Sequence, residues 1–471
     1  MRLTRHEQFM DAIPRAKSAT NHSSVSERLI LAALLLAFAV CAGLLAFSLK
    51  EGIVPDEKAH FIFAKHYAST WGIPPDAPET YAQGWYIAHY PFLYHWLSGR
   101  VINLTRFLAP AASDRALLVV LRLTSVLYAV GTLLFTYLLS RELIRKKWWP
   151  LLPAFLLANT LMFALLAGGA NYDNLTNLLC TAGLYFLMRA FLGRDFFLNS
   201  LGWLICICLA CLVKFAVLPL ALLTFLAWLG FTIWKRKSLF PLPKWSAGRV
   251  VLLGLAVLLV LGNLALYGYN LIVFREVLPD CEDMFQAAQC ALSPYHNRLE
   301  ELGLPEKLTI SESIRQGYPD PLEYLIGQWF RDMLTKTYGI LGHKSYYPGH
   351  IITFYQLFYL GMFLLAARFW QKPGFAIWSA VGIITGFVLA VFIVNFESEL
   401  TYGFKQISLQ GRYLFPVIAL FYALTAYTQS LVKPKFLQVV LVVISCALFI
   451  FGGPLKFLTL ADKAFAGWFL P

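Results

Sequence analysis

Apolar runs recur along the chain at near-regular intervals, separated by short polar stretches and by two long ones. Eleven of them, near 29–48, 115–139, 149–168, 175–192, 197–213, 216–234, 250–268, 351–368, 375–394, 413–431 and 436–453, approach bilayer-spanning length. A helix needs roughly 17–25 apolar residues to cross. The stretch 197–234 reads either as two short spans or as one re-entrant unit. Residues 85–109 are also fairly apolar, but His89, Pro91, His95, Arg100 and Arg106 interrupt them, which predicts an interfacial segment. The expectation is an all-α polytopic membrane protein, a single membrane domain over 1–471 with about eleven transmembrane helices. Its outward cap would be built from loops, chiefly 51–114 and 269–350.

Composition agrees with this pattern. Of 471 residues, 59% are hydrophobic and only 14% charged, against about a quarter charged in a soluble domain. A soluble enzyme, a disordered chain and a disulfide-rich secreted domain are excluded. A membrane β-barrel is disfavoured, because its strands are about ten residues long and alternate in polarity. The leader Met1–Glu27 is polar and long, and Leu29–Ser48 is long enough to span. That run therefore reads as a first transmembrane helix rather than a cleavable signal.

The net charge of +13 would suit nucleic acid if it formed a patch, but it is divided by side. With the N-terminus in the cytoplasm, the inner connections carry 20 of the 39 Lys and Arg but only 5 of the 26 Asp and Glu. The excess charge is thus a topology signal, and no nucleic-acid partner is expected. The predicted setting is a bacterial inner membrane, with the C-terminus periplasmic. Every His except His6 and His22 falls on the outward side with most of the acids, so the chemistry is expected there.

Six cysteines (Cys41, Cys180, Cys206, Cys208, Cys211 and Cys446) lie in spans, as small apolar residues. Cys281 and Cys290 share an outward loop, where an oxidising compartment permits a disulfide. Cys206-x-Cys208-x-x-Cys211 has metal-like spacing, but it sits in an apolar helix without polar partners.

Four constellations carry candidate chemistry. The first is Val54-Pro55-Asp56-Glu57-Lys58-Ala59-His60-Phe61, after the first span. Pro55 disfavours helix before it and Asp56 is suited to cap the helix that follows. The second is Ala88-His89-Tyr90-Pro91-Phe92-Leu93-Tyr94-His95, where two His among aromatics suggest a polar pocket under an aromatic lid, or interface anchors. The third is Gly169-Ala170-Asn171-Tyr172-Asp173-Asn174, equally suited to capping a helix. The fourth is Gln410-Gly411-Arg412-Tyr413-Leu414-Phe415-Pro416, where Arg presents a planar fork of donors that suits phosphate. Lys214 between apolar runs, and Arg122 inside the second span, must snorkel or meet an anion. Asp56, Asp173, Lys214 and Arg412 map to one membrane face, an arrangement suited to a reaction on a lipid phosphate.

Pro-Asp-Glu-x-x-His-Phe, His-x-Pro-x-x-Tyr, Asn-Tyr-Asp-Asn and Gln-Gly-Arg-Tyr-x-x-Pro together resemble the GT-C superfamily of membrane glycosyltransferases, more narrowly its bacterial polytopic members. The likeness runs from the first span to the tenth. It implies a sugar donor on a polyprenyl phosphate, with Asp56 as base and Arg412 near the donor phosphate. Some relatives hold a divalent metal with further acidic motifs. A full set is not found here, so no cofactor is assigned and a divalent metal stays open.

The expected reaction is an inverting transfer of the sugar to an acceptor hydroxyl of a glycan, lipid or protein. Arg412, Lys214 and Arg122 would meet the phosphate. Glu57 would join Asp56 in catalysis, orient an acceptor, or simply belong to the surface helix. His60, His89, Tyr94, Tyr172, Asp173, His343, Lys344 and Tyr413 are the candidate substrate contacts, with loop 269–350 as an acceptor lid. A transporter or flippase of a lipid-linked saccharide is the alternative. A non-catalytic assembly partner is a third reading.

Overall fold

The computed structural model describes residues 24–239, 246–294, 298–302, 307–341, 344–345, 349–370, 372–406, 408–455, 465 and 467–470. Helix α1 (Val25–Ser48) starts where the Ser24 hydroxyl accepts from the Glu27 amide, an ordinary N-cap. Two amphipathic helices follow, α2 (Glu57–Ala68) and α3 (Leu93–Leu108), packed on each other. Then come α4 (Asp114–Leu143), α5 (Leu151–Ala158), α6 (Leu161–Ala167), α7 (Tyr172–Phe191), α8 (Phe196–Val213) and α9 (Leu218–Leu239). The chain closes with α10 (Ala247–Asn263), α11 (Gly349–Phe369), α12 (Phe375–Thr401), α13 (Phe415–Leu431) and α14 (Lys435–Gly452). A two-residue strand pair, β1 (Ile340–Leu341) with β2 (Lys344–Ser345), sits ahead of α11.

Among the described residues, nine helices are long and apolar enough to cross a membrane. Two of the eleven expected runs differ, for separate reasons. The run 149–168 is broken into α5 and α6 at Asn159–Thr160, where the Thr160 hydroxyl bonds the Leu156 carbonyl and lies 2.7 Å from the Tyr422 hydroxyl. Helix α7 is unbroken, but Asp173, Asn174, Thr176 and Asn177 make its first turns polar, and those residues are buried against protein. The stretch 197–234 forms two helices, α8 and α9, joined at Lys214 by a single 3₁₀ turn. Residues 93–108 form the amphipathic helix α3, which turns Tyr94, His95, Ser98, Gly99 and Ile102 inward.

The helices differ sharply in how much of them meets protein. The segment Gly411–Leu431 is 78% buried, whereas Ala247–Val273 is 11% buried. Helix α13 is therefore the centre of the bundle, packed on α4, α5, α7, α11 and α12. Apolar faces elsewhere point outward, as a bilayer allows, since lipid tails solvate them as protein would. Burial at the core makes the 3₁₀ entrance of α13, Gly411–Leu414, a fixed platform. Arg412 stands on it.

Candidate active site

The chain leaves α1 through a tight turn that sets Asp56 apart from its neighbour. Asp56 takes the left-handed conformation (φ 61°, ψ 4°) at the N-cap position of α2, but its carboxylate makes no capping bond. The expected cap is thus present as a position and absent as an interaction. Asp tolerates this backbone better than most residues, at some cost in strain. The turn is pinned from outside: Asn171 Nδ2 donates to the Pro55 carbonyl at 2.8 Å. Gly169 lets the 168–171 turn approach, since a Cβ there would come within 2.5 Å of the Val54 side chain.

Glu57 and Arg122 form a closed unit beneath this turn. Arg122 is 2% exposed and Glu57 0%. Arg122 Nε and Nη2 donate to the two carboxylate oxygens of Glu57 at 2.8 and 2.7 Å. Its other donors reach the carbonyls of Ala46, Leu49 and Lys50. Glu57 also accepts from the amides of Gly52 and Ala170 at 3.1 and 3.0 Å. These bonds occupy the five N–H donors of a guanidinium. This geometry runs against the expectation that Arg122 meets phosphate and that Glu57 enters the chemistry. Both are engaged in tying the end of α1 to α4 and to the 168–171 turn.

The second unit faces a cavity. Arg412 Nη2 donates to Asp56 Oδ2, and Arg412 Nη1 lies 3.4 Å from Asp173 Oδ2. Lys214 Nζ donates to Asp173 Oδ1 at 2.5 Å. Lys214 also lies over the Tyr172 ring (4.5 Å) and the Tyr413 ring (5.1 Å), a favourable place for a cation. Residues from four separate parts of the chain thus form an alternating array, Asp56–Arg412–Asp173–Lys214. The array is loosely bonded: Arg412 Nε is buried without a hydrogen-bond partner, and Arg412 Nη1 and Asp173 Oδ2 meet only as an ion pair.

Asp56, Lys214, Arg412, Tyr172 and Tyr413 line one side of a cavity of about 570 Å³. Phe63, Trp85, Tyr86, Tyr90, Pro91 and His95 line it as well, with Arg298, Tyr402, Ser408 and Gln410. The lining therefore combines a charged pole, the array, with an aromatic one around Phe63, Trp85 and His95, which contact one another, the mixture that lets a site bind a polar head and a ring together. Tyr86 and Tyr90 pack in a cluster with Tyr81, Phe285 and the Cys281–Cys290 disulfide. Gln289 Nε2 donates to the Tyr81 hydroxyl at 3.1 Å, linking the two loops.

The remaining sequence candidates divide. His60 is 1% exposed and lies behind the wall, its Nδ1 3.0 Å from His95 Nε2. Burial, with His95, Arg412 and Lys214 nearby, holds the His60 imidazole well below its ordinary range. Burial alone brings His95 down to about 3, so both rings are neutral. Tyr94 is buried against His60, with ring centroids 5.4 Å apart. His89, in the left-handed conformation, stacks on Tyr269 (5.4 Å), away from the array. Lys344 lies in β2 opposite Leu341, and His343 lies outside the described residues. His95, Tyr90 and Pro91 belong to the second constellation but were not among the candidate contacts, and Phe63, Trp85 and Tyr86 were not singled out at all. The inward phase of His95, Ser98, Gly99 and Ile102 along α3 was the available signal.

A divalent metal does not fit the array. Asp56 and Asp173 already face Arg412 and Lys214, so a cation between them would meet two like charges. Among the described residues no group of three His, Cys, Asp or Glu side chains could hold a metal ion.

Several solved structures are similar to this chain. One is ArnT from Cupriavidus metallidurans bound to undecaprenyl phosphate, at 14% identity and a TM-score of 0.43, covering 88% of this chain and 62% of that one. Another is the Archaeoglobus fulgidus oligosaccharyltransferase tethered with an acceptor peptide, at 15% identity and a TM-score of 0.47, covering 89% and 55%. A third is AglB from the same organism in complex with an inhibitory peptide and a dolichol-phosphate, at 15% identity and a TM-score of 0.44, covering 91% and 57%. The chain spans less than two-thirds of the length of these proteins, and at these scores the likeness assigns no activity. No family model and no curated protein matches the chain.

Proposed function

We propose that the protein is an inverting glycosyltransferase. It moves a sugar from a polyprenyl-phosphate donor to the hydroxyl of a glycan, lipid or protein acceptor on the outer face of a bacterial inner membrane. The observation that supports this reading is the loosely bonded array Asp56–Arg412–Asp173–Lys214 at the charged pole of one cavity. Two cations beside a cavity suit the bridging phosphate of such a donor and the monoester that leaves, and a carboxylate at its edge suits a hydroxyl.

The chemistry follows from charge development. The bond from the sugar's anomeric carbon to the phosphate oxygen breaks, and the electron pair leaves with the phosphate. Arg412 and Lys214, already oriented by Asp173, stabilise that growing negative charge where water is partly excluded. The acceptor oxygen bonds the anomeric carbon from the opposite side, and its proton passes to Asp56. Asp56 suits this role because its side chain is 27% exposed and engaged by only one arm of Arg412. A single displacement with one base inverts the centre, whereas retention would need a carboxylate nucleophile.

The test is release of polyprenyl phosphate from polyprenyl-phosphate sugars by protein in nanodiscs supplied with an envelope acceptor. Asp56→Asn is expected to lower the rate about 10²–10⁴-fold, the usual weight of a general base, while still binding donor. Release that survives the substitution would remove Asp56 from the centre. Donor crossing between leaflets without release would favour a transporter instead.

A further inference from the structure

We infer that the buried His60–His95 pair reads the donor sugar: His95 binds a sugar hydroxyl from the aromatic pole, and His60 fixes the tautomer in which it does so. This rests on the glycosyl-transfer reading above and concerns a residue that reading does not use.

A neutral imidazole carries one N–H, and the 3.0 Å contact between His60 Nδ1 and His95 Nε2 needs one donor and one acceptor. If His95 donates, His60 must carry its hydrogen on Nε2. If His60 donates, its Nε2 is a bare lone pair. That atom is buried without a hydrogen-bond partner, and a stranded N–H is rarer inside folded proteins than an acceptor left bare. His60 Nδ1–H therefore donates to His95 Nε2, which leaves His95 with its hydrogen on Nδ1. His95 is the member of the pair that lines the cavity, so it offers that N–H as a donor.

The geometry gives the ligand its class. Tyr172 touches both groups, with Lys214 Nζ 4.5 Å from its centroid and the His60 ring 4.4 Å from it. A ring attached to a phosphate at Lys214 and Arg412 would share the cavity with His95, Phe63, Trp85 and Tyr86. Aromatic faces accept the C–H face of a sugar ring, and a neutral donor suits a hydroxyl oxygen better than a carboxylate. The expected donor is a neutral sugar.

The experiment compares binding of bare polyprenyl phosphate with a panel of polyprenyl-phosphate pentoses and hexoses, in nanodiscs and without acceptor. The wild type should bind at least one sugar-bearing lipid more tightly than the bare one. His95→Phe keeps the aromatic pole but removes the donor. It should lose about tenfold in affinity for that lipid, the upper range for one buried hydrogen bond, with bare-lipid affinity within about twofold. His60→Phe, which leaves His95 without its tautomer partner, should lose a smaller factor and serves if the first variant does not fold. Equal losses for both lipids, or a wild type with no preference, would overturn the inference while leaving the donor phosphate site standing. If neither lipid binds, and Arg412→Gln changes nothing, the glycosyl-transfer reading itself falls.

Discussion

Asp56 and Glu57 are neighbours in sequence, both acids and both facing an arginine, yet they end in opposite situations. Glu57 is sealed from solvent, and its oxygens accept from two arms of Arg122 and two backbone amides. Asp56, one residue earlier in a left-handed turn, meets one arm of Arg412 and lines the cavity. Arg122 likewise has every donor engaged, while Arg412 retains two buried nitrogens without hydrogen bonds. The first pair is a joint and the second is a site. Saturation and access are what separate them. A fully bonded ion pair sealed from solvent has nothing left to offer a ligand, whereas Asp56, Arg412 and Lys214 line a cavity that a ligand can enter.

The strongest way to break this comparison is to remove each arginine in turn. Arg122→Met strands Glu57 as a buried charge whose remaining partners are two amides, and should cost about 3–5 kcal/mol of stability. The check is thermal unfolding in detergent, together with partial recovery in the Glu57→Gln/Arg122→Met double variant. Arg412→Met should unfold close to the wild type, because Asp56 can rehydrate into the cavity and Asp173 keeps Lys214. Its rate of polyprenyl phosphate release should fall about 10²–10³-fold, as for loss of one preorganised donor. If the effects were exchanged, with Arg122→Met inactive but stable, the division into joint and site would be wrong.

Parts of this contrast were legible in the sequence. Apolar periodicity marked the helices, and the same reading grouped Asp56, Asp173, Lys214 and Arg412 because each flanks an apolar run at one face. Arg122 was beyond it. An intramembrane arginine reads as functional by default, and only tertiary structure shows that the carbonyls at the end of α1 and the carboxylate of Glu57 meet it. His89 and His95 were similarly ambiguous. The left-handed turn at His89 sends its ring to Tyr269, whereas the helical phase of α3 turns His95 inward. The break at Asn159–Thr160 is a tertiary effect as well, since Thr160 pairs with Tyr422 from the central helix.

A milder perturbation uses the glycines that let each unit close. A Cβ at Gly411 would sit 2.4–2.5 Å from Thr337 Oγ1 and from the backbone of Lys336 and Thr337. Gly411→Ala must therefore shift the platform that carries Arg412. Misplacement of this kind is expected to lower the rate about tenfold to a hundredfold, with a stability loss of about 1–3 kcal/mol. Gly169→Ala presses on Val54 and the turn above Glu57, so its stability loss should be of the same size. Activity that falls no further in Gly411→Ala than in Gly169→Ala would mean that Arg412 does not depend on its platform.

The smallest effect comes from the histidine pair, which lies between the two extremes: one nitrogen of His60 is bonded and the other is left alone. His95 is depressed to about 3 and His60 is well below the ordinary value of 6.5. Below pH 6.5 the unfolded chain takes up protons at these positions that the folded chain refuses. Their contribution to stability is therefore complete above pH 6.5 and is lost as pH falls below it, for His95 down to about 3, at about 1.4 kcal/mol per pH unit for each ring. Unfolding measured at pH 7.5 and 5.5 should show this slope in the wild type and a shallower one in His60→Asn/His95→Asn. Equal slopes would mean that the rings are hydrated and titrate in the folded protein, and a hydrated His95 could not discriminate a sugar hydroxyl from water.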